Sequence, residues 1–229
     1  MAAAIFVMSS KISFKYERLS PDNAALILID HQTGLLPLVN TWSEVELKNN
    51  VLALSKVAKV FNLPVIITSS FEQGPNGPLA HGITELFPDV KVIERQGEIN
   101  AWDDPNFVKA VETTGRKKLI MAGIVTDVCI AFPALSATEA GYEVIVAIDA
   151  SGTFNQTVQQ AAVLRVIQAG ATVMNWFSIC CELQGDWKKF TAPGMVKIFT
   201  EHLVKYGLIA SSYVQNNPDQ TIVPKDFKA

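Results

Sequence analysis

Three side chains that could cooperate in covalent catalysis lie within the first 130 residues. Cys129 falls where an apolar strand pattern changes to a helical one, Asp30 ends an apolar run, and Arg95 ends a short β-branched run. A cysteine in the first turn of a helix faces unpaired N–H groups and the positive end of the helix dipole. Both favour the thiolate, which is the reactive form of cysteine. Cys129 is therefore our candidate nucleophile.

The elements that would position these residues alternate along the chain. Strand patterns cover residues 24–30, 64–70, 92–95, 118–124, 143–149 and 171–176, and helical patterns cover 43–62, 105–114, 126–140 and 157–169. Ser43 is a candidate N-cap, with Glu46 three residues on. Near-continuous apolar strands alternating with helices indicate a doubly wound, mostly parallel six-stranded sheet with both faces covered. Amphipathic stretches at 179–190 and 193–206 would pack outside the sheet or against another subunit.

A strand order of 3-2-1-4-5-6 would bring the three side chains to one edge of the sheet, because the carboxyl ends of parallel strands lie together. Ligands bind beyond that edge, where the strand order reverses. There Asp30 could act as general base for the Cys129 thiol, and Arg95 could hold the carboxylate. Backbone N–H groups at the start of the 126–140 helix could stabilise an oxyanion. Each residue also has a structural interpretation: Cys129 as core packing, Asp30 as a turn cap and Arg95 as a surface cation.

Other patterns exclude several classes of site. Residues 74–78 do not match a phosphate-binding loop, and no GxGxxG follows the first strand, so no nucleotide cofactor is expected. The three histidines share no metal-ligand spacing, and we expect no metal. His31 could line the site or make a structural hydrogen bond. Trp102 could be a wall of the pocket or ordinary packing, and residues 149–154 could form part of the rim.

Bulk composition fits one soluble domain. The chain has 229 residues, 49% hydrophobic and 18% charged, with a formal net charge of −3 and no dense Lys/Arg cluster. This argues against nucleic acid as a partner, and no apolar run approaches the roughly 20 residues that span a bilayer. Three cysteines make no disulfide framework, which favours a reducing compartment and a cytoplasmic protein. We expect an N-terminal arm (1–18), a domain (19–210) and a polar tail (211–229).

The sequence resembles the isochorismatase-like cysteine hydrolases, most closely their YcaC-like branch. The resemblance covers about residues 19–206. It rests on LIDHQ at 28–32, GPNGP at 74–78, Arg95, INAWD at 99–103, GIVTDVC at 123–129 and DASGTFN at 149–155, with further matches at 61–72 and 131–136. Each motif alone is weak, and together they are specific for the family.

The resemblance implies a three-layer α/β/α fold and a catalytic triad of Asp30, Arg95 and Cys129. It also implies a non-proline cis peptide at Val125–Thr126, with Val125, Thr126 and Cys129 framing the oxyanion site. The family hydrolyses small amides and related C–N compounds through a thioester, and the branch forms homo-oligomers such as octamers. We expect the substrate pocket to be lined also by Gln32, Phe71, Asn100, Trp102 and Phe154.

Two departures from the family pattern limit what the resemblance implies about the substrate. Many amidases of the family have lysine at the second triad position, whereas this chain has Arg95, which cannot donate a proton near neutral pH. The metal ligands of the nicotinamidase branch are also missing after the second strand. The substrate therefore stays unidentified. Two other functions stay open, a catalytically silent scaffold of the same fold and a thiol-based redox sensor.

Overall fold

Six parallel strands form the central sheet. A computed structural model of the chain describes residues 16–217. Its strands are β1 (Ala24–Ile29), β2 (Val65–Ser70), β3 (Ile93–Arg95), β4 (Lys118–Gly123), β5 (Glu143–Ala147) and β6 (Thr172–Met174). They lie in the order β3-β2-β1-β4-β5-β6, and all five pairings are parallel. The predicted order is thus confirmed, and the strand order reverses between β1 and β4.

Eight α-helices accompany the strands within the described residues. They are α1 (Glu44–Val60), α2 (His81–Leu86), α3 (Pro105–Thr113), α4 (Ala131–Glu139), α5 (Gln156–Gln168), α6 (Trp176–Gln184), α7 (Ala192–His202) and α8 (Val204–Asn216). The capping box predicted for α1 is present, since the Ser43 hydroxyl accepts the Glu46 N–H at 3.2 Å and the Glu46 carboxylate accepts the Ser43 N–H at 3.1 Å. Helix α2 was not predicted, because its six residues are too few to show a periodicity.

The helices cover both faces of the sheet, and a hydrophobic core lies on each side. One core joins the sheet to α1, α2, α6 and α7, with Leu54, Ile179 and Phe199 among its buried residues. The other joins it to α3, α4 and α5, with Phe107 and Ala134 among its members. The strands are buried by both layers, which explains their near-continuous apolar sequences. The predicted three-layer α/β/α architecture is confirmed.

The predicted domain boundaries meet the structure only in part. Residues 1–15 and 218–229 lie outside the described residues, so most of the expected arm and tail is outside them as well. Helix α8 runs from Val204 to Asn216 and passes through the boundary expected between residues 210 and 211. No helix among residues 16–217 is both long enough and apolar enough to span a membrane.

Candidate active site

Asp30 lies immediately after β1, at the carboxyl edge of the sheet. Its backbone adopts a left-handed conformation with a φ of 56°, which few residues other than glycine tolerate and which is commoner for aspartate. Its N–H donates to the Thr68 carbonyl at 3.0 Å, and its side chain is completely buried. The turn therefore leaves a carboxyl group enclosed at the end of a central strand.

Arg95 ends β3 and is held by hydrogen bonds from three sides. Its Nη2 donates to Asp30 Oδ1, and its Nε donates to Thr68 Oγ1 at 3.2 Å. Its Nη1 donates to the carbonyl oxygens of Glu98 at 2.8 Å and Ile99 at 3.1 Å. Both side chains of the ion pair are fully buried. A buried pair is tolerated when further hydrogen bonds satisfy its remaining groups, and here the guanidinium is fixed in one orientation.

The two carboxylate oxygens of Asp30 differ in their contacts, because only Oδ1 accepts a hydrogen bond from Arg95. Among the described residues, Oδ2 is buried without a hydrogen-bond partner. Burial raises the pKa of Asp30, and the opposing effects of the Arg95 charge and of the nearby Cys129 thiol are smaller. A carboxylate with a raised pKa and an uncommitted oxygen is suited to accept a proton.

Cys129 lies in a single π-helical turn, Thr126–Ile130, between β4 and α4. Its side chain is half-buried. Burial raises the pKa of the thiol to about 12, and the Asp30 carboxylate raises it further than the Val125 backbone and Arg95 lower it. The sequence led us to expect a pKa lowered by the helix N-terminus, and that expectation is wrong, because desolvation outweighs the backbone dipoles. The resting group at neutral pH is therefore a thiol.

The cis peptide lies one residue earlier than predicted. It joins Ile124 to Val125, not Val125 to Thr126. The strand hydrogen bonding continues to Ile124, whose N–H donates to Ile29 at 3.2 Å, and the chain turns at the next peptide. The N–H of Thr126 donates to the Gly152 carbonyl at 3.0 Å, so Thr126 is not available as an oxyanion donor. No local signal could have located the bond, since neither residue that it joins is proline.

The segment after β5 holds this turn in place. Besides the Thr126 contact, the Thr153 hydroxyl donates to Asp127 Oδ1 at 2.5 Å, and the Gly123 N–H donates to Ser151 Oγ at 3.1 Å. A Cβ on Gly152 would lie 2.5 Å from Val39 Cγ1. Residues 149–154, predicted as part of the rim, thus support the turn that carries Cys129.

His31 has a structural role in the same region. Its Nε2 lies 3.0 Å from the Ala150 carbonyl, and burial lowers its pKa to about 4. The imidazole is therefore neutral at physiological pH and ties the residue after Asp30 to the segment that supports the turn. Among residues 16–217, no three His, Cys, Asp or Glu side chains are grouped so that they could hold a metal ion.

Three of the five predicted pocket residues make contacts within the protein. The amide of Gln32 donates to the carbonyls of Ser70 (3.0 Å) and Gly77 (2.6 Å) and accepts the Ser70 N–H, so it joins the loop after β2 to the end of that strand. Asn100 accepts the N–H of Trp102 at 3.1 Å and caps a short turn.

The three aromatic residues predicted for the pocket, Phe71, Trp102 and Phe154, differ in exposure. Trp102 packs edge-on against Phe107 and Tyr142, and its ring centroid lies 6.0 and 5.7 Å from theirs. These contacts favour ordinary packing over a role as a wall of the pocket. Phe71 and Phe154 are 49% and 43% exposed and follow β2 and β5 at the carboxyl edge. They are the predicted pocket residues whose side chains remain free to contact a ligand.

Sequence reasoning missed the residues that contact Arg95 and the turn that carries Cys129. Thr68 accepts a hydrogen bond from Arg95, and Ser151 and Thr153 support the turn that carries Cys129. Thr68 is the first of three polar residues that end β2 after an apolar run, which is a usable signal for a buried polar contact. Ser151 and Thr153 lie in an ordinary turn sequence, where hydroxyl residues carry no such signal.

The fold and site define a class: a doubly wound α/β protein with a buried Asp–Arg pair beside a cysteine at the switch point of the sheet. Residues 24–178 match the isochorismatase domain, and the chain belongs to this family of hydrolases. Within it the chain falls in the YcaC-like branch. It is 52% identical over 198 residues to the probable hydrolase YcaC of Escherichia coli, covering 86% of this chain and 95% of that protein.

Two solved structures of the branch superpose closely. YcaC from Pseudomonas aeruginosa, solved with hexane-2,5-diol and covalent acrylamide, has 54% identity and a TM-score of 0.86 over 88% of this chain and 99% of that one. The E. coli YcaC structure, an octameric hydrolase of unknown specificity, has a TM-score of 0.87 with 50% identity in the superposition, over 90% of this chain and all of that one.

Proposed function

We propose that this protein is a cysteine hydrolase that cleaves a small amide or a related C–N bond through a thioester on Cys129. The observation that carries the proposal is the buried Asp30–Arg95 pair, whose uncommitted Oδ2 is available to the neighbouring thiol. A thiol with a pKa near 12 is a poor nucleophile at neutral pH unless a base removes its proton. Asp30 is the base that the site offers.

In the first half of the reaction, Asp30 Oδ2 accepts the Cys129 proton as Sγ attacks the substrate carbonyl carbon. The C–S bond forms, and the carbonyl π electrons move to oxygen to give a tetrahedral oxyanion. We assign the backbone N–H groups of Val125 and Cys129 to this oxyanion and no longer include Thr126, whose N–H is engaged elsewhere. Collapse breaks the C–N bond, and the Asp30 acid protonates the leaving amine.

In the second half, water attacks the thioester carbonyl while Asp30 accepts a water proton. The C–S bond breaks, the carboxylic acid product leaves, and Cys129 regains its proton from Asp30. Arg95 takes no proton in this scheme, because a guanidinium stays charged at any working pH. It orients Asp30 and supplies the positive charge that balances the carboxylate or, after proton transfer, the thiolate.

The P. aeruginosa relative supports a nucleophile in this branch. Its structure contains covalent acrylamide, a compound that is both an amide and an acceptor for nucleophilic addition. A covalent bond to such a compound requires a reactive protein nucleophile, and thiolates are the side chains best suited to that addition. We infer that Cys129 reacts in the same way in this chain.

The test is a panel of small amides and carbamoyl compounds followed by intact-mass analysis after rapid quenching. We expect ammonia or amine release and a mass increase equal to one acyl group, mapped by peptide analysis to Cys129. Cys129→Ala should abolish both. Cys181→Ala is the matched control, because Cys181 is also a half-buried thiol and lies on α6; it should retain turnover and adduct.

An outcome in which no panel member is hydrolysed, and acrylamide modifies Cys129 no faster than Cys181, would overturn the proposal. It would leave the fold as an oligomeric scaffold without catalysis.

We also propose that the protein is a homo-oligomer, as its octameric E. coli relative is. Helix α8 supports this, because Val204, Leu208 and Ile209 are 78%, 66% and 68% exposed and form an apolar surface on one helix. Leu208→Glu should reduce the assembly mass measured by light scattering, and Gln160→Glu, which adds the same charge to the exposed surface of α5 on the other face of the sheet, is the control. An unchanged mass in Leu208→Glu would assign the contact elsewhere.

The free cysteines fit a reducing compartment, and we propose that the protein is cytoplasmic.

A further inference from the structure

Positive charge is almost missing from the edge of the sheet that carries the site. We call residues 30–43, 71–80, 96–104, 124–130 and 148–155 the carboxyl-edge loops, since each follows one of the strands β1 to β5. These loops contain no lysine or arginine, although the whole chain has 19. The nearest is Arg95, the last residue of β3. The same loops contain seven carboxylates: Asp30, Glu72, Glu98, Asp103, Asp104, Asp127 and Asp149.

Arg95 has little capacity left for a substrate. A guanidinium has five N–H donors, and four of them are used: one from Nε to Thr68, two from Nη1 to backbone carbonyls and one from Nη2 to Asp30. The side chain is also buried. It cannot present the two parallel donors with which arginine recognises a substrate carboxylate.

Two carboxylates next to the triad add negative charge. Asp127 lies two residues before Cys129 and is bound through one oxygen by the Thr153 hydroxyl. Glu98 follows Arg95 in the loop after β3, and the N–H groups of that loop lower its pKa, so it is ionised at neutral pH. An anionic substrate would meet these charges with no lysine or arginine in the carboxyl-edge loops to offset them.

Exposed apolar side chains at the same edge indicate a second property of the substrate. Phe71, Ile99 and Phe154 follow β2, β3 and β5, and they are 49%, 63% and 43% exposed. Ile99 is tied to the site through its carbonyl, which accepts from Arg95. Exposed aromatic and branched side chains around a polar centre provide contacts for an apolar group of a substrate.

We propose that the site selects uncharged amides with an apolar group and discriminates against substrates that bear a carboxylate. This inference rests on the proposed function, since it names the substrate class of the same site. The reacting groups are neutral as a set, with Asp30 negative and Arg95 positive, and they stay so after the thiol proton moves to Asp30. An uncharged amide preserves that balance, whereas an anion adds a charge that no lysine or arginine of the carboxyl-edge loops can pair.

The experiment uses iodoacetamide and iodoacetate on the full-length protein in its native assembly. The two reagents form the same C–S bond to a thiol with loss of iodide, and they differ in one neutral or anionic group. Peptide mapping by mass spectrometry gives the alkylation rate at Cys129 separately from the other cysteines. We expect the iodoacetate-to-iodoacetamide rate ratio at Cys129 to be roughly tenfold lower than for 2-mercaptoethanol, as for a surface potential of a few kT.

Charge variants test the cause of that ratio. Asp127→Asn and Glu98→Gln, the two carboxylates next to the triad, should raise the ratio about twofold to threefold, because each removes one nearby negative charge. Glu112→Gln is the matched control, since this exposed glutamate on α3 lies towards the opposite edge of the sheet. Discrimination should also weaken as salt shortens the screening length from about 30 Å at 0.01 M to about 3 Å at 1 M.

The alkylation rates remain informative if no amide is hydrolysed, so the two proposals fail separately. An iodoacetate-to-iodoacetamide ratio at Cys129 equal to or above that of 2-mercaptoethanol overturns the charge selectivity. So does hydrolysis of benzamide and its carboxylated analogue 4-carbamoylbenzoate with equal kcat/KM. A low ratio that rises in Asp127→Asn and not in Glu112→Gln supports it.

Discussion

Replacing Arg95 by methionine tests the central electrostatic feature of the site. Methionine is of similar length and is accommodated in irregular apolar spaces, but it removes the charge and four hydrogen bonds. Asp30 is then left buried without its partner. Breaking a buried ion pair in this way costs about 3–5 kcal/mol, which corresponds to a Tm lower by roughly 10 °C for a domain of this size.

The loss should depend on pH in a defined direction. Burial already raises the pKa of Asp30, and Arg95 opposes that rise, so Arg95→Met raises the pKa further. A carboxyl group whose pKa is higher in the folded state favours folding when protonated and opposes it when ionised. The stability deficit of Arg95→Met should therefore be smallest at acidic pH, and it should grow as the pH rises through the folded-state pKa of Asp30.

The double variant Asp30→Asn/Arg95→Met separates charge from packing. With no charge left to bury, it should regain about 2 kcal/mol relative to Arg95→Met at neutral pH and lose the pH dependence, while the unpaired carbonyl groups still cost about 1–2 kcal/mol. Denaturant unfolding at one fixed protein concentration measures both. Equal destabilisation of the single and double variants at neutral pH would refute the assignment of the cost to the unpaired Asp30 carboxylate.

Further predictions concern the thiol and two local structures. Because burial, the largest cause of the raised thiol pKa, persists in the variant, Asp30→Asn should slow the reaction of Cys129 with iodoacetamide at pH 7; an unchanged rate would contradict the role of Asp30 as the base. Gly152→Ala should lower the free energy of unfolding by about 1–3 kcal/mol because its Cβ would meet Val39. Gly97→Ala, where a Cβ meets nothing within 4 Å, is the control, and equal Tm values for the two would contradict the argument. Ser43→Ala should cost about 1 kcal/mol through loss of the α1 cap, and an unchanged denaturation midpoint would show that the cap contributes nothing.

Most of the fold was accessible from the sequence, because local patterns encode it. The six strands appear as apolar runs, and the predicted bounds differ from the observed ones by at most two residues at each end. The Ser43 cap was identified from two residue types at the correct spacing. The short helix α2 and the division between α7 and α8 carried no such pattern, since six residues show no periodicity and the break at Leu203 involves neither glycine nor proline.

The sequence predicted the candidate site only as a set of residue types at the carboxyl edge of the sheet. Asp30, Arg95 and Cys129 could be placed there because parallel strands end together. Their hydrogen-bond partners could not be predicted, since Thr68, Ser151 and Thr153 reach the site only when separate segments of the chain meet. Gln32 illustrates the difference: its position in the family motif suggested the pocket, whereas folding brings it against the loop after β2, where its amide is satisfied.

The sequence by itself determined the parallel sheet, its layered helices and the residue types at its carboxyl edge, because these follow from periodicity and chain order. It also determined the absence of lysine and arginine from the carboxyl-edge loops. The tertiary structure alone decided the protonation of the Cys129 thiol. Enclosure of Cys129 next to Asp30 raises the thiol pKa, because desolvation depends on which segments surround the sulfur, and no local pattern records that.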